Sequence, residues 1–349
     1  MPRYLSAFAF ITLLPTFLLA LAAVKGGLWP LLPLFLLGGL NHLIDGLFEN
    51  RPDSPSERNL ATILPAILAF CHFALLGLAV WSLALKPDPL TAKIPLFLAF
   101  GLYFATVSNA NGHELIHRRS RLAFTLGKWI FISHLFGHHT SAHRLVHHPY
   151  VATRYDPNTA RYNESFYTFF ARAWRGSFLM GLSAENTRRG FPPHSREVDF
   201  SNPYFTYILG GVIFLGLATA FGGWKGFLVY LGLAFMAQSG LLLTDYVQHY
   251  GLTRSEGQDG RFDPIAPHHS WNAPHWFTRN LTLNAPLHSD HHAKPARPYT
   301  ELQNHPAEVA PQLPYSPGIM SIIALNPIHW RRIMNPKVAE WAMRHRKLG

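Results

Sequence analysis

The chain has 349 residues, of which 48% are hydrophobic and only 14% charged. Soluble domains carry about 25% charged residues, so a water-soluble globule is disfavoured, and the apolar content excludes disorder. One cysteine, Cys71, excludes a disulfide framework, a thiolate zinc site and a built-in iron–sulfur domain, and the net charge of +11 fits basic cytoplasmic loops better than nucleic-acid binding.

A membrane-spanning helix needs about 20 mostly apolar residues. Six stretches qualify: 5–24, 28–47, 60–85, 89–110, 204–222 and 224–248. The first lacks a convincing cleavage site and reads as a retained span rather than a signal peptide. Residues 122–136 could make a seventh span, but they are short, carry Lys128 and would put the histidines at 113–117 and 143–148 on opposite faces, so a helix that dips into the protein or lies at the interface is the preferred reading. Residues 166–180, with Arg172, Arg175 and many aromatics, read as a second interfacial helix. The proline-rich tail after Ala293 reads as a wrapped, irregular segment. The short connections near Gly26–Gly27, Lys86–Lys93 and Gly222–Gly226 hold four lysines and no arginine. The positive-inside rule then places both termini and the segments 111–203 and 249–349 in the cytoplasm. The expected fold is all-α: one polytopic membrane domain over 1–349 with about six transmembrane helices and a histidine-rich cytoplasmic face.

Histidine is the anomaly. Of 21 histidines, 15 lie in 113–149 and 249–292. His113 and His117 are spaced i, i+4 at the end of the fourth span, on one face of a helix. His143, His147 and His148 repeat the spacing with one extra ring, and His288, His291 and His292 are spaced i, i+3, i+4. His249 ends the sixth span. A lone His pair is usually an ordinary surface or core feature, but three such groups and a fourth contributor on one membrane side point to metal. Glu114, Asp156, Asp245, Asp290, His138 and His269 lie in or beside these groups and could orient ligating imidazoles. Nine imidazoles exceed one tetrahedral zinc site and suit two ions with four or five ligands each. Nitrogen donors alone accept Fe, Zn, Cu or Ni. Oxygen chemistry on a greasy substrate calls for a redox metal, for which two irons fit best, and other pairs stay open.

These four groups resemble those of the membrane alkane 1-monooxygenases, within the integral-membrane non-haem di-iron hydroxylases and desaturases. The likeness runs over about 100–340. It rests on Asn111 to Arg118, His143 to His148 with Val151–Thr153 and Asp156–Pro157, Tyr246 to Gly251, His269 to Asn272, His288 to Ala293, and Trp330 to Val338. A vaguer likeness covers 40–60. Four positions depart from the family: Ala142 where it has Glu, Val146 where it has Gly, Gln248 where it has Glu, and Leu287 where it has Arg. All nine expected ligands are retained. The resemblance implies two non-haem Fe ions, O2 as co-substrate, and terminal hydroxylation of an alkane to a 1-alkanol in a bacterial inner membrane. It also implies electrons from NAD(P)H through a reductase and rubredoxin. The rubredoxin is expected as a separate chain, because four cysteines are lacking; Arg118, Arg119 and Arg121, or Arg331 and Arg332, could belong to its docking face or serve as positive-inside anchors.

Other readings carry their own expectations. A xylene-type or fatty acyl hydroxylase, or a desaturase, would share fold and metal and differ in product. His113, Glu114 and His117 also fit the HExxH zinc-protease pattern, which leaves six histidines unexplained. A non-catalytic metal transporter would need ionisable residues inside the spans, and only His42, Asp45 and His72 lie near one. Substrate walls are expected from Phe70–Leu76 and Leu96–Phe104. Alanine at His194, His305 or His345 is expected to change little, and Glu at Ala142 to be tolerated if the chain diverges from the family only in the residues around the ligands.

Overall fold

The computed structural model describes residues 6–47, 60–192 and 199–346, and among these the chain forms helices and turns with no β-strand. The apolar stretches become rods: α1 (Ser6–Lys25), α2 (Leu31–Leu47), α3 (Ala61–Leu85) and α4 (Leu90–Ile116). Shorter helices follow at α5 (Arg121–Ser133), α6 (139–150) and α7 (Phe166–Arg188). A 47-residue helical stretch, Pro203–His249, comes next and is folded in two at Gly223. There φ is 60° and ψ −155°, a region open to glycine and closed to ordinary L side chains. Gly226 consequently packs on the Ala218 carbonyl, and Gly222 and Gly226 both face Val80 of α3. In a straight helix residues eight apart would be about 12 Å distant. The halves are α8 (203–222) and α9 (224–249). Among the described residues, four helical stretches are long and apolar enough to cross a membrane, and α2 is shorter.

The three tight turns collect at one end of the bundle. Lys86 donates to the carbonyls of Ala23 and Val24 at 3.0 Å and pairs with Asp88. Gly26 faces Asp88, and Gly222 faces Ala84. The ends of α4 and α9, with His113, His117 and His249, point the other way, so the histidines share the opposite end. Small residues bring the rods together, as van der Waals packing between apolar helices requires. Gly240 of α9 lies against Ala105 of α4, and Gly127 of α5 lies against Leu115 and the Gly112 carbonyl of α4. Thr16 of α1 shares a 2.8 Å hydrogen bond with the buried Tyr103 of α4.

α5 is the expected dipping helix. Ser120 caps its first turn, Ile130, Phe131 and Ile132 are buried, and Leu122 faces outward. α7 runs further than expected, to Arg188. The tail corrects the sequence reading. Residues 294–316 are mostly irregular, but α12 (Pro317–Ala324) and α13 (Pro327–Arg346) follow α10 (Trp276–Leu281) and α11 (His288–Ala293) as regular helices. Pro317 and Pro327 stand in their first turns, where a missing N–H costs nothing. Trp330 and Met334 of α13 are fully buried with Tyr246 and Tyr250. That apolar contact holds the tail as helix rather than loop.

Candidate metal centre

Four segments bring nine imidazoles together in two sets. One holds His113, His117, His143, His148 and His291, and the other His147, His249, His288 and His292. The split within α6 has a backbone cause. An α-helix turns 100° per residue, so His148 would sit about 140° round from His143. Residues His143–His147 instead form a widened π-turn, whose i→i+5 closure stacks position 148 over 143. The Nε2 atoms of His143 and His148 are therefore 3.0 Å apart, and His147 is left for the second set. α11 also feeds both sets, His288 and His292 to one and His291 to the other.

The donor atoms crowd as ligands do. Nε2–Nε2 separations are 3.0 Å for His117–His143, His249–His288 and His288–His292, and 3.2 Å for His148–His291. Donors about 2.1 Å from a shared ion are about 3.0 Å apart at right angles and about 3.4 Å apart in a tetrahedron. The observed spacing suits nitrogens that share an ion. His113 Nε2 and His147 Nε2 are buried without any protein partner. Buried polar atoms rarely go unpaired, so these residues fit a metal centre.

Carboxylates hold the frame. Asp156 accepts from His147 Nδ1 at 2.8 Å, from Thr159 Oγ1 at 2.6 Å and from the Asn158 N–H at 3.0 Å. Asn158 in turn donates to Asp245 at 2.6 Å. Asp290 ties α11 to the tail, accepting from Arg297 at 2.6 Å and the Gln303 N–H at 3.0 Å, with His305 at 3.3 Å. His305 thus touches the site's support. His194 lies outside the described residues, as does the side chain of His345. Glu114 pairs with Arg118 and accepts from the Tyr299 N–H, and both HExxH rings belong to the five-histidine set. This arrangement leaves no free base for a zinc protease. The His269 backbone faces His249.

His138 corrects the sequence reading. It points away from both sets, shares a 3.3 Å contact with Ser177 and stands among Phe136 and Phe178. Its neighbour His139 is the residue beside the site, 4.9 Å ring to ring from His143. The spacing 139, 143, 147 was the available signal. Glu185 of α7 was also missed. It is buried, accepts from Ser141 at 2.5 Å and pairs with Arg189, anchoring the start of α6. Asp45 on α2 was read only as a weak transport feature. It accepts from the Phe277 and Thr278 N–H groups at 2.8 and 3.1 Å and so caps α10.

Burial, and then mutual repulsion, push the His117, His143, His148, His291 and His292 pKa values well below 6.5. Neutral imidazole is the ligating form. Of the nine imidazoles, His147 alone is raised. Burial pulls it down, but the Asp156 carboxylate, joined by Asp245, more than compensates.

A cavity of about 160 Å³ opens beside both sets, touching His113, His143 and His288. Most of its surface is apolar. Its walls come from Ala105–Ala110 of α4, Leu241–Gln248 of α9, Trp271–Ala273, α10 and α12. The expected walls, Phe70–Leu76 and Leu96–Phe104, do not line it. Leu96, Phe100 and Phe104 instead fill the core against α1 and α3, because the cavity lies at the histidine end of the bundle.

An apolar helical bundle whose end gathers nine imidazoles over an apolar cavity defines a membrane-bound, histidine-rich metalloenzyme. A family model described as fatty acid desaturase matches residues 89–323. Alkane 1-monooxygenase 1 of Pseudomonas aeruginosa is 32% identical over 86% of this chain and 80% of its own length. The alkane 1-monooxygenase of Ectopseudomonas oleovorans is 30% identical over 86% and 76%. The hydroxylase component of the xylene/toluene monooxygenase of Pseudomonas putida is 30% identical over 68% and 62%. The chain belongs to the alkane monooxygenase family within the fatty acid desaturase group, and is a monooxygenase.

Proposed function

We propose that the protein hydroxylates the terminal carbon of an apolar hydrocarbon chain, most simply an alkane to a 1-alkanol, with O2 and a pair of iron ions. The observation that carries this is the apolar cavity touching both imidazole sets at once. His113, His117, His143, His148 and His291 would hold one ion, and His147, His249, His288 and His292 the other. Bound iron would supply the oxygen activation needed to break an unactivated C–H bond.

The chain's own groups do the rest. Ala105, Ala110, Leu241, Ala273 and Leu281 give the chain a dry bed and leave water little foothold, which protects a strong oxidant from side reactions. Asp156 fixes the His147 ring of α6, and Asp290 the register of α11. Asp45 fixes α10, which forms one wall.

Electrons would come from a separate rubredoxin and its NAD(P)H-dependent reductase. Acidic carriers suit a +11 protein, and Arg119, Arg121 and Arg332 are exposed. Arg118 and Arg331 are less available, being engaged by Glu114 and by the Asn163 carbonyl. We place the protein in a bacterial inner membrane as one domain with both ends cytoplasmic. The test is metal analysis of purified protein together with ¹⁸O2 turnover on octane, hexadecane, xylene and fatty acyl esters. Two irons per chain and ¹⁸O in a primary alcohol are expected. A C=C product makes it a desaturase, and one zinc without oxygen consumption ends the proposal.

A further inference from the structure

The cavity's polar side chains are almost all satisfied by the protein. Asn41 donates to the Leu37 carbonyl and Asn109 to that of Ala237. Asp245 accepts from Asn158, and Gln248 donates to the Ala285 carbonyl. The lining threonines and Ser321 bond backbone carbonyls or Asp45. Outside the two imidazole sets His139 is the exception: among the described residues its ring takes no hydrogen-bond partner. It is only 3% exposed and lines the cavity. Phe131 lies 4.7 Å from one side of it and Phe136 stacks at 5.8 Å, so aromatic packing fixes the ring. His143 lies 4.9 Å away, and His113 lines the same cavity, which puts His139 at the metal end.

An imidazole carries at least one N–H donor in either protonation state. A ring nitrogen that opens on the cavity with no protein partner is free to donate to an acceptor that enters. We propose that His139 is a recognition residue that donates a hydrogen bond to an oxygen atom at the metal end of the cavity. The substrate class this selects is an alkyl chain with an oxygen function next to its reacting carbon. A small ligand held at the metal would present the same acceptor chemistry, and the two sources are separable. The inference rests on the hydrocarbon-cavity reading above and adds one polar contact to it.

The test compares n-nonane with methyl heptyl ether, which exchanges one CH2 for O beside the terminal methyl. Purified iron-loaded enzyme in detergent is charged with tritiated nonane, and each unlabelled compound displaces it. Wild type should bind the ether about 2- to 10-fold more tightly than nonane, the range one net hydrogen bond supplies. His139→Phe should lose that preference, and His139→Gln, which keeps an N–H donor, should retain part of it. Azide binding, followed by absorption, forms the second arm. If only azide weakens in His139→Phe, the acceptor is a small ligand at the metal. If the ether preference and azide affinity match wild type in both variants, the role of His139 is overturned. Should wild type bind neither hydrocarbon nor ether, the cavity reading falls first and this inference with it.

Discussion

Exchanging Asp156 for Asn removes the charge that accepts from His147 Nδ1, while keeping the size of the side chain. Outer partners of this kind are worth 10–100-fold in metal affinity. Asp156→Asn should therefore bind metal more weakly by about that factor, read by competition with a chelating dye. His138→Ala should keep wild-type metal content, because its ring faces Ser177 rather than either set. Equal metal loss in both variants would remove the distinction between them. The nine imidazoles were legible in the sequence because their chemistry is rare and their spacing regular. His139 was not, since a neighbour at i−4 from His143 can be ligand, filler or recognition group, and only the cavity wall separates these. The same limit hid Glu185, whose contact with Ser141 crosses 44 residues of chain.

Elements carry two further expectations. Ala142 is buried and packs so closely on Gly181 that a methyl added at residue 181 would stand 3.0 Å from the Ala142 Cβ. The tolerance expected for Ala142→Glu therefore reverses. A longer acidic side chain there would press on α7 beside the Glu185 carboxylate and should lower the unfolding midpoint, with metal content falling alongside. Overpacking of this kind costs about 1–3 kcal/mol. Gly223→Ala should cost a similar 1–3 kcal/mol, because φ 60° with ψ −155° admits no Cβ without strain. A thermal unfolding scan checks both, and an unshifted midpoint in Gly223→Ala would mean the α8–α9 reversal tolerates a side chain. The reversal itself was legible, since a Gly-Gly pair interrupts a run too long for one span. The π-turn in α6 was not, because hydrogen-bond closure at i+5 leaves no mark in residue type. Ile130–Ile132 of α5 could be placed as buried from their apolarity. The wall segments could not, because leucines and phenylalanines of α3 and α4 fit core, lipid and cavity equally well.

At the scale of the molecule, the bundle's end concentrates buried imidazoles, and this couples stability to both metal and pH. His117, His143, His148, His288, His291 and His292 are held well below 6.5 in the folded protein, first by burial and then by one another. In the unfolded chain they titrate near 6.5. Below that pH the unfolded state binds more protons than the folded one, so stability must fall as pH falls. His147 runs the other way: raised by Asp156 against the pull of burial, its contribution is present at low pH and lost as pH rises through its folded value. Among these seven rings, the six outweigh the one. Each of the six contributes on the order of 1 kcal/mol one pH unit below 6.5. Protein stripped with a chelator should therefore show a falling unfolding midpoint between pH 7.5 and pH 5.5. Metal-loaded protein should be more stable at pH 7.5, because an ion that binds only the folded state adds its binding free energy. It should also lose metal on acidification, since protons compete for the same nitrogens. A flat pH profile for the stripped protein would mean that these rings become solvent-accessible once the metal leaves, and that the imidazole sets are assembled by the ion rather than held ready by α4, α6, α9 and α11.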